Sequence, residues 1–492
     1  MTTNRERKEV SFESLGDYLR ALDGAGEVKR IKASVDIDLE VAEILRRTMY
    51  SGGPALLFEN IEGYDMPILG NAFGSLRRMQ IALGTEKFEE LGRRNVKMMT
   101  MEPPSGMVQK LRAIPRLQAI SSYAPYVVKK GSVEEIVETS SPTLSAFPVT
   151  KSWPKDAGRF ITMGITITRH PDSGRRNLGL YRLQIIDETT VGMHWQIHHR
   201  GAHHYKTQSE TQKRLEVAVV IGADPATIFS AVAPVPEGLD KYLFAGIIKG
   251  KGIPLVKCRT IDLEVPANAE IVLEGYVEPE ERHIEGPFGD HTGYYTPPES
   301  FPVFHLTGIL RRERPLYLCT VVGKPILEDA YIGKAVERIF LPLMQVFHPE
   351  IVDFSMPSAG WFQGLAIVSI KKTYPGQARK VMMALWGLGQ LMLTKMIVVV
   401  DHEVNIHDVN DVIWAVTTRV DPQRDVFIVD HTPTDTLDPT APSPNLGSKL
   451  GIDATVKMKE EGWHWMGEAQ LAVPDPSTVE LVNRRWQEYG FS

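Results

Sequence analysis

Between about residues 120 and 330, the sequence is a series of short β-rich runs separated by turn signals. Four of these runs are FITMGITIT, LEVAVVIG, LVKC and EIVLEGYV, at Phe160–Thr168, Leu215–Gly222, Leu255–Cys258 and Glu270–Val277. Strands at this spacing are typical of a barrel or a sandwich rather than of βαβ units. We therefore predict that the middle of the chain is a β-barrel or a β-sandwich.

The regions on either side have a mixed α/β pattern. Near the N-terminus, SLGDYLRAL places Leu15, Tyr18, Leu19 and Leu22 on one helical face, and Ser14 is suited to cap that helix. After about residue 330, the strand patterns LAIVSI, KMIVVV and DVFIVD alternate with the helical patterns GQARKVMMALW and DVNDVIWAVTTR. This alternation predicts a parallel sheet with right-handed crossovers.

Two C-terminal segments are expected to lie outside that sheet. Residues 431–445 are rich in Pro, Thr and Asp and predict an extended arm. A final helix around STVELVNRRWQEY is expected to dock elsewhere, on a neighbouring subunit. The predicted fold is thus mixed α/β, with domains over residues 1–120, 121–330 and 331–492.

Composition excludes several classes of protein. The net charge is −6 and no long run of Lys or Arg occurs, which argues against a nucleic-acid partner. The start, MTTNRERKEV, lacks an apolar signal-peptide core, and the apolar stretch Leu391–Val400 is interrupted by Lys395 and too short to span a bilayer. Only Cys258 and Cys319 are present, so no disulfide framework is indicated. We expect a soluble, cytoplasmic protein without a membrane segment.

The segment EGPFGDHTGYY places two carboxylates, Glu285 and Asp290, five residues apart. Gly286, Pro287 and Gly289 between them break helical hydrogen bonding and favour turns. One interpretation is a turn that aims both acids at a substrate. The alternative is a surface hairpin with two solvated acids.

Two other segments carry polar groups that suit a functional site. RRNLGLYRLQIID is strand-like and contains Asn177 and Arg182, although Arg182 is equally compatible with a strand end at the rim. MHWQIHHRGAHHY, at residues 193–205, carries five of the fourteen histidines. Such a cluster is compatible with metal binding or, more commonly, with solvated loop histidines. Since no H-E-x-x-H motif accompanies it, a zinc protease has little support.

Arg182, Glu285 and Asp290 would form an acid/base set if they converged. An arginine lowers the pKa of one neighbouring carboxylate, while crowding and burial raise the pKa of another. The pattern of the sequence alone does not establish that they meet.

Eight motifs in order resemble the UbiD family of decarboxylases, which use prenylated FMN. They are NLGLYR, DPATIFSAVAPVPEGL, EIVLEGYVEPEE, EGPFGDHTGYY, SFPVF, VMMALW, DVNDVIWAVTTR and LGSKLGIDAT. The resemblance covers essentially the whole chain and is strongest to the 4-hydroxy-3-polyprenylbenzoate decarboxylase branch. It implies a central split barrel of the flavin-reductase type and a C-terminal α/β domain whose last elements support a homo-oligomer, a dimer or hexamer.

The resemblance also implies roles for individual residues. Asp290 stands at the position of the family's proton donor, and Glu285 with Arg182 would orient the carboxylate of a small-molecule acid. Asn177 and His199, or His198 after a one-residue shift, stand at the positions that bind the cofactor phosphate and a metal. The residues that would bind the flavin are Asn177, Leu180, Tyr181, Arg182, His194, Trp195, Gln196, His199, Arg200 and Gly201.

The same comparison implies prenylated FMN as cofactor, supplied by a flavin prenyltransferase, with manganese and potassium as accompanying cations. Manganese is in doubt because the position of the family's metal-binding glutamate is Lys241. A lysine cannot serve as a carboxylate ligand, and Asp240 is the nearest substitute.

Three other functions compete with decarboxylation of an aromatic or α,β-unsaturated acid, such as 4-hydroxy-3-polyprenylbenzoate. The first is decarboxylation of phosphorylated anhydromevalonate. The second, from another class, is a histidine-cluster metallohydrolase. The third is a non-catalytic flavin-binding or assembly protein, against which the joint presence of Arg182, Glu285 and Asp290 argues.

Overall fold

The computed structural model of the chain describes residues 11–99, 121–198, 200–236, 238–361, 363–461 and 471–491. The helices are α1 (Leu15–Gly24), α2 (Glu40–Tyr50), α3 (Leu76–Leu83), α4 (Phe88–Met99), α5 (Arg200–Glu210), α6 (Pro225–Val232), α7 (Lys241–Lys249), α8 (Glu328–Phe347), α9 (Gln377–Trp386), α10 (Val409–Arg419), α11 (Pro422–Asp425) and α12 (Pro476–Arg484).

The strands up to the end of the central region are β1 (Val28–Ile31), β2 (Ala55–Phe58), β3 (Ile68–Gly70), β4 (Tyr126–Val127), β5 (Ile136–Glu138), β6 (Phe160–Arg169), β7 (Arg176–Ile185), β8 (Thr190–Met193), β9 (Leu215–Ile221), β10 (Pro254–Lys257), β11 (Glu264–Pro266), β12 (Ile271–Glu285), β13 (Phe288–Gly289), β14 (Tyr295–Thr296), β15 (Glu299–Arg311) and β16 (Tyr317–Leu318). Those that follow are β17 (Ile351–Ser355), β18 (Leu365–Ile370), β19 (Met396–Asp401), β20 (Val426–Pro433) and β21 (Leu446–Ala454).

Six strands of the central region close into a barrel, which confirms the first of the two predicted architectures. Around the ring the order is β12, β9, β6, β7, β8 and β15, and β15 pairs again with β12. All these pairs are antiparallel. Strand β6 is buried along almost its whole length, and helix α5 packs against it. A strand that is covered in this way reads as a continuous apolar run, as FITMGITIT does.

The N-terminal region forms a small mixed sheet that also includes β16, a strand that follows the barrel in sequence. Strands β1 and β2 are parallel, β3 is antiparallel to β2, and β16 is parallel to β3. Helix α8 packs against α4, so one apolar core runs from Phe12 to Ile339. In α1 the predicted cap is confirmed, because Ser14 Oγ accepts a hydrogen bond from Asp17 N at 3.2 Å. The three domain limits stay a prediction.

The C-terminal sheet has the order β17, β18, β19, β21 and β20. The parallel neighbours β18, β19 and β21 confirm a parallel sheet, but the prediction that DVFIVD is its third strand is wrong. That segment belongs to β20, which runs antiparallel to β21 at the edge. A parallel neighbour needs a long crossover, and the chain between β20 and β21 makes a hairpin-like return instead.

The predicted arm over residues 431–445 begins inside β20 and does not remain extended away from the protein. Thr434, Asp435, Leu437 and Asp438 are all buried. None of the side chains of α12 is buried, and its docking on a neighbouring subunit stays a prediction. None of the helices in the described part of the chain has both the length and the apolar character that a membrane crossing requires.

Candidate active site

Arg182, on β7, binds both carboxylates of the EGPFGD turn. Its Nε donates to Glu285 Oε1 at 2.8 Å, its Nη2 donates to Glu285 Oε2 at 3.0 Å, and its Nη1 pairs with the Asp290 carboxylate. Nη2 also donates to Thr296 Oγ1 at 3.1 Å, and Cζ lies 4.5 Å from the centroid of the Phe288 ring. The side chains of Arg182, Glu285 and Asp290 are 9%, 1% and 5% exposed. The structure thus brings Arg182 together with two acids that lie 103 and 108 positions away in sequence.

Two backbone N–H groups of the turn hold it in place by donating to side chains outside it. Gly286 has a φ of +89°, which glycine adopts without strain, and its N–H donates to Gln184 Oε1 at 2.7 Å. The N–H of Gly289 donates to Asp156 Oδ1 at 2.8 Å, and a Cβ at this position would lie 2.3 Å from the Trp153 indole. The interpretation of the motif as a solvated surface hairpin is therefore wrong.

Glu285 also faces His194. The Nδ1 of His194 lies 3.2 Å from Glu285 Oε2, and its ring centroid lies 4.4 Å from that of Phe301. Burial raises the pKa of Glu285, but the hydrogen bond from His194 and the charge of Arg182 outweigh it and lower that pKa to about 2. Burial and, next, the charge of Arg182 lower the pKa of His194. Glu285 is therefore an anion at neutral pH, and His194 is a neutral imidazole.

A second group of predicted residues carries buried side-chain nitrogens. Asn177 is buried, and its Nδ2 has no acceptor among the described residues. Asn177 and the backbone of Gly201 lie near the Tyr181 hydroxyl, whose pKa is raised by burial and lowered in part by these two neighbours. Trp195 packs against Gly201, where a Cβ would lie 3.0 Å from the indole Nε1. This Nε1 and the Nε2 of His198 are likewise buried without a partner in the described part of the chain.

Two cations adjoin this group. Arg200 Nη2 donates to Val235 O at 2.8 Å, and Lys241 Nζ donates to Ala231 O at 2.8 Å. Burial and, next, the charge of Arg200 lower the pKa of Lys241 to about 7. Buried donors and cations in one region are what an anionic ligand with several acceptor oxygens requires.

Other predicted residues are distributed as follows. Leu180 packs against the main core and Gln196 is buried. His199 lies outside the described residues. The described histidines of residues 193–205 do not form one cluster, because His194 faces Glu285 whereas His204 Nδ1 lies 2.8 Å from Thr168 Oγ1.

Three acidic or basic residues next to the site were missed by the sequence interpretation. His291 follows Asp290 directly and pairs through Nδ1 with Asp329 on α8, and Asp435 lies within electrostatic reach of both Asp290 and His291. His291 is part of the EGPFGDH motif and was available as a signal. Asp329 and Asp435 come from separate parts of the chain and gave no local signal.

Family models match most of the chain. The model of the 3-octaprenyl-4-hydroxybenzoate carboxy-lyase (UbiD) N-terminal domain matches residues 19–94. The Rift-related domain of the same carboxy-lyase matches residues 126–325, and its C-terminal domain matches residues 330–454.

Similar proteins cover the chain almost end to end. An uncharacterized protein of Archaeoglobus fulgidus is 50% identical over 482 residues, which is 97% of this chain and 99% of that protein. Vanillic acid decarboxylase of Sedimentibacter hydroxybenzoicus, in its closed form, is 28% identical with a TM-score of 0.87, covering 98% of this chain and 99% of the other. The UbiD-class enzyme HmfF of Pelotomaculum thermopropionicum, in complex with FMN, is 29% identical with a TM-score of 0.78, covering 96% and 99%.

Proposed function

This chain belongs to the UbiD family of carboxy-lyases, and we propose that it decarboxylates an aromatic or α,β-unsaturated carboxylic acid with prenylated FMN bound beside Arg182. The observation that carries the proposal is the buried guanidinium that binds Glu285 through two nitrogens and Asp290 through a third. A guanidinium in a dry site is a strong receptor for a substrate carboxylate. The similarity to vanillic acid decarboxylase favours an aromatic acid.

The two carboxylates have different tasks in this proposal. Glu285 stays ionised because Arg182 and His194 bind it, so it fixes the orientation of the guanidinium. When a substrate carboxylate reaches Arg182, three carboxylates surround one guanidinium. Like charges at this distance cannot all stay ionised. In this proposal Asp290 takes up a proton when the substrate binds and delivers it to the substrate carbon from which carbon dioxide leaves.

The donor group formed by Asn177, Trp195 and His198 fits the cofactor. A buried donor without an acceptor costs about 1–3 kcal/mol, and the phosphate of a flavin nucleotide would satisfy several of them. Asn177, Tyr181, Trp195, Gln196, Arg200 and Gly201 would hold the cofactor, with Leu180 and His194 towards the substrate. Bound prenylated FMN supplies the electron sink that makes loss of carbon dioxide possible.

The residues at the expected metal position do not fit a divalent cation. Lys241 occupies that position and offers no carboxylate oxygen, and its Nζ donates to Ala231 O. Asp240, the possible substitute, caps α7 by accepting from Tyr242 N at 2.7 Å and pairs with Arg176 at 3.0 Å. We therefore propose that Lys241 and Arg200 bind the negatively charged phosphate of the cofactor. The proposed mechanism has no catalytic step for manganese or potassium.

A flavin prenyltransferase is the proposed supplier of the cofactor, the cytoplasm the proposed compartment, and a dimer or hexamer the proposed assembly. The exposed apolar side chains around α12, which include Leu481, Trp486 and Phe491, support a self-associating protein.

The test is co-expression with a flavin prenyltransferase, followed by mass spectrometry of the released ligand. We expect a flavin heavier than FMN by a five-carbon unit. The loaded protein is then screened for carbon dioxide release from hydroxybenzoates, vanillate, enoic acids and phosphorylated anhydromevalonate, with the Arg182→Ala protein as the matched control. Unmodified FMN alone, or no release from any acid, would refute the proposal.

A further inference from the structure

We propose that His291 supplies the proton that restores Asp290 after each turnover, and that Asp329 holds His291 in place for this task. The inference rests on the proposed function, because it takes Asp290 as the acid. In this role His291 acts through Asp290, so it is a positioning and proton-supplying residue.

The geometry places His291 between Asp290 and a second carboxylate. Its backbone N–H donates to Asp290 Oδ1 at 2.8 Å, and its ring Nε2 lies 3.9 Å from the same oxygen. On the other side of the ring, Nδ1 pairs with Asp329 in the first turn of α8. The Asp329 carboxylate is itself held, because Ala330 N donates to its Oδ1 at 2.9 Å. The imidazole is thus aimed at Asp290 by a partner from another element.

Exposure gives the direction of proton flow. The side chain of Asp290 is only 5% exposed, whereas those of His291 and Asp329 are 26% and 18% exposed. Asp290 is closed off on its other side by Arg182 and Glu285, which are 9% and 1% exposed. His291 therefore offers a route between the buried acid and solvent.

Asp290 must regain a proton after each turnover, so a proton source is needed beside it. In each turnover the O–H bond of Asp290 breaks and a C–H bond forms on the product, which leaves Asp290 as a carboxylate. Arg182 does not release a proton in proteins, and His194 is bound to Glu285 and neutral because burial lowers its pKa. The Nε2–H of the His291 imidazolium breaks, the O–H of Asp290 forms, and the neutral ring takes a proton from water. A small rotation of the ring would bring Nε2, now 3.9 Å from Asp290 Oδ1, within hydrogen-bond distance.

The charges around the ring keep it protonated at neutral pH. They come from three elements: Asp290 in the turn, Asp329 on α8 and Asp435 in the segment after β20. Burial lowers the pKa of His291, but these carboxylates, Asp329 foremost, outweigh it and raise that pKa to about 9. The negative charge of a substrate bound at Arg182 favours protonation of the nearby carboxylates, and the His291 imidazolium is the adjacent proton donor.

The kinetic test compares carbon dioxide release by loaded wild-type, His291→Ala and His291→Gln proteins. We expect both variants to retain flavin and to lose about 10²-fold in turnover, the usual scale for a proton-transfer group. Added imidazole should accelerate His291→Ala in proportion to its concentration. The matched control is His305→Ala, which breaks another histidine–carboxylate pair, with Glu281 at 2.6 Å, and should leave turnover unchanged. Variants as fast as wild type, or a slow His291→Ala protein that imidazole fails to accelerate, overturn the assignment.

A second measurement needs neither cofactor nor substrate. NMR titration of the His291 ring in the flavin-free protein should give a pKa near 9, and Asp329→Asn should lower it. A titration at the ordinary value of a histidine, or one that Asp329→Asn leaves in place, overturns the inference. If the wild type released no carbon dioxide from any acid, the proposed function would fail, and this titration would still decide whether Asp329 holds the ring protonated.

Discussion

Glu285→Gln tests how strongly the Arg182 guanidinium holds its buried partner. The pKa of Glu285 is lowered from an ordinary 4.5 to about 2. At roughly 1.4 kcal/mol for each unit, the ionised form stabilises the folded protein by about 3 kcal/mol at pH 7. Because this pKa is depressed in the folded state, the contribution is complete above pH 4.5 and is lost as the pH falls towards 2. About half of it should remain midway, near pH 3.3.

The assay is urea unfolding of the flavin-free protein, followed by tryptophan fluorescence at several pH values. We expect Glu285→Gln to lower the free energy of unfolding by about 3 kcal/mol at pH 7, and the difference from wild type to shrink on acidification. Glu59→Gln is the matched control, since it breaks an ion pair with Arg30 whose side chains are 33% and 44% exposed. Such a pair contributes about 0–1 kcal/mol. Equal stability of Glu285→Gln and wild type at pH 7, or a difference that grows as the pH falls, would show that the ion pair does not stabilise the protein.

Three further predictions concern the acid, the cofactor and the turn. Asp290→Asn should keep the flavin and lose roughly 10²-fold or more in turnover, and near wild-type turnover with flavin loading verified would contradict its role as the acid. A chelator should leave most activity and flavin in place, whereas Lys241→Ala should weaken flavin binding. Both effects are measured by retained flavin absorbance and by carbon dioxide release. Activity that is lost on addition of the chelator and restored by manganese would disprove the role of Lys241. Gly289→Ala should lower both stability and turnover, because its Cβ would lie 2.3 Å from the Trp153 indole, and a thermal midpoint and rate like those of wild type would show that the turn tolerates the methyl group.

Local patterns predicted local structure well. Leu15, Tyr18, Leu19 and Leu22 are all buried on α1 behind the Ser14 cap, as the helical spacing requires. The runs FITMGITIT, LEVAVVIG and EIVLEGYV likewise marked barrel strands β6, β9 and β12, whereas LVKC marked β10, which lies outside the barrel. In both cases the information lies within a few residues, because helix caps and strand burial depend on neighbours in sequence.

Contacts between segments that are distant in sequence could not be predicted from local patterns. The strand next to β19 is β21, in LGSKLGIDA, and the more apolar DVFIVD takes the edge. Both segments have strand character, and their order depends on a return of the chain through residues 434–445. The contact between Arg182 and Asp290 joins positions 108 residues apart. Motif order and family resemblance indicated that these residues belong to one site, but only barrel closure explains how β7 and the turn after β12 meet.

In the proposed mechanism, the charges around Arg182 link substrate binding to the protonation of Asp290. Arg182 and the His291 imidazolium face Glu285, Asp290 and Asp329, so the carboxylates already outnumber the cations in this part of the protein. A substrate carboxylate adds another negative charge where little water is present to screen it. Glu285 cannot take up the compensating proton, because Arg182 and His194 hold its pKa near 2. In the proposed mechanism Asp290, the neighbour of His291, is therefore the group that takes up the proton. On this argument the fixed anion at Glu285 contributes to catalysis by leaving Asp290 as the carboxylate that binding can protonate.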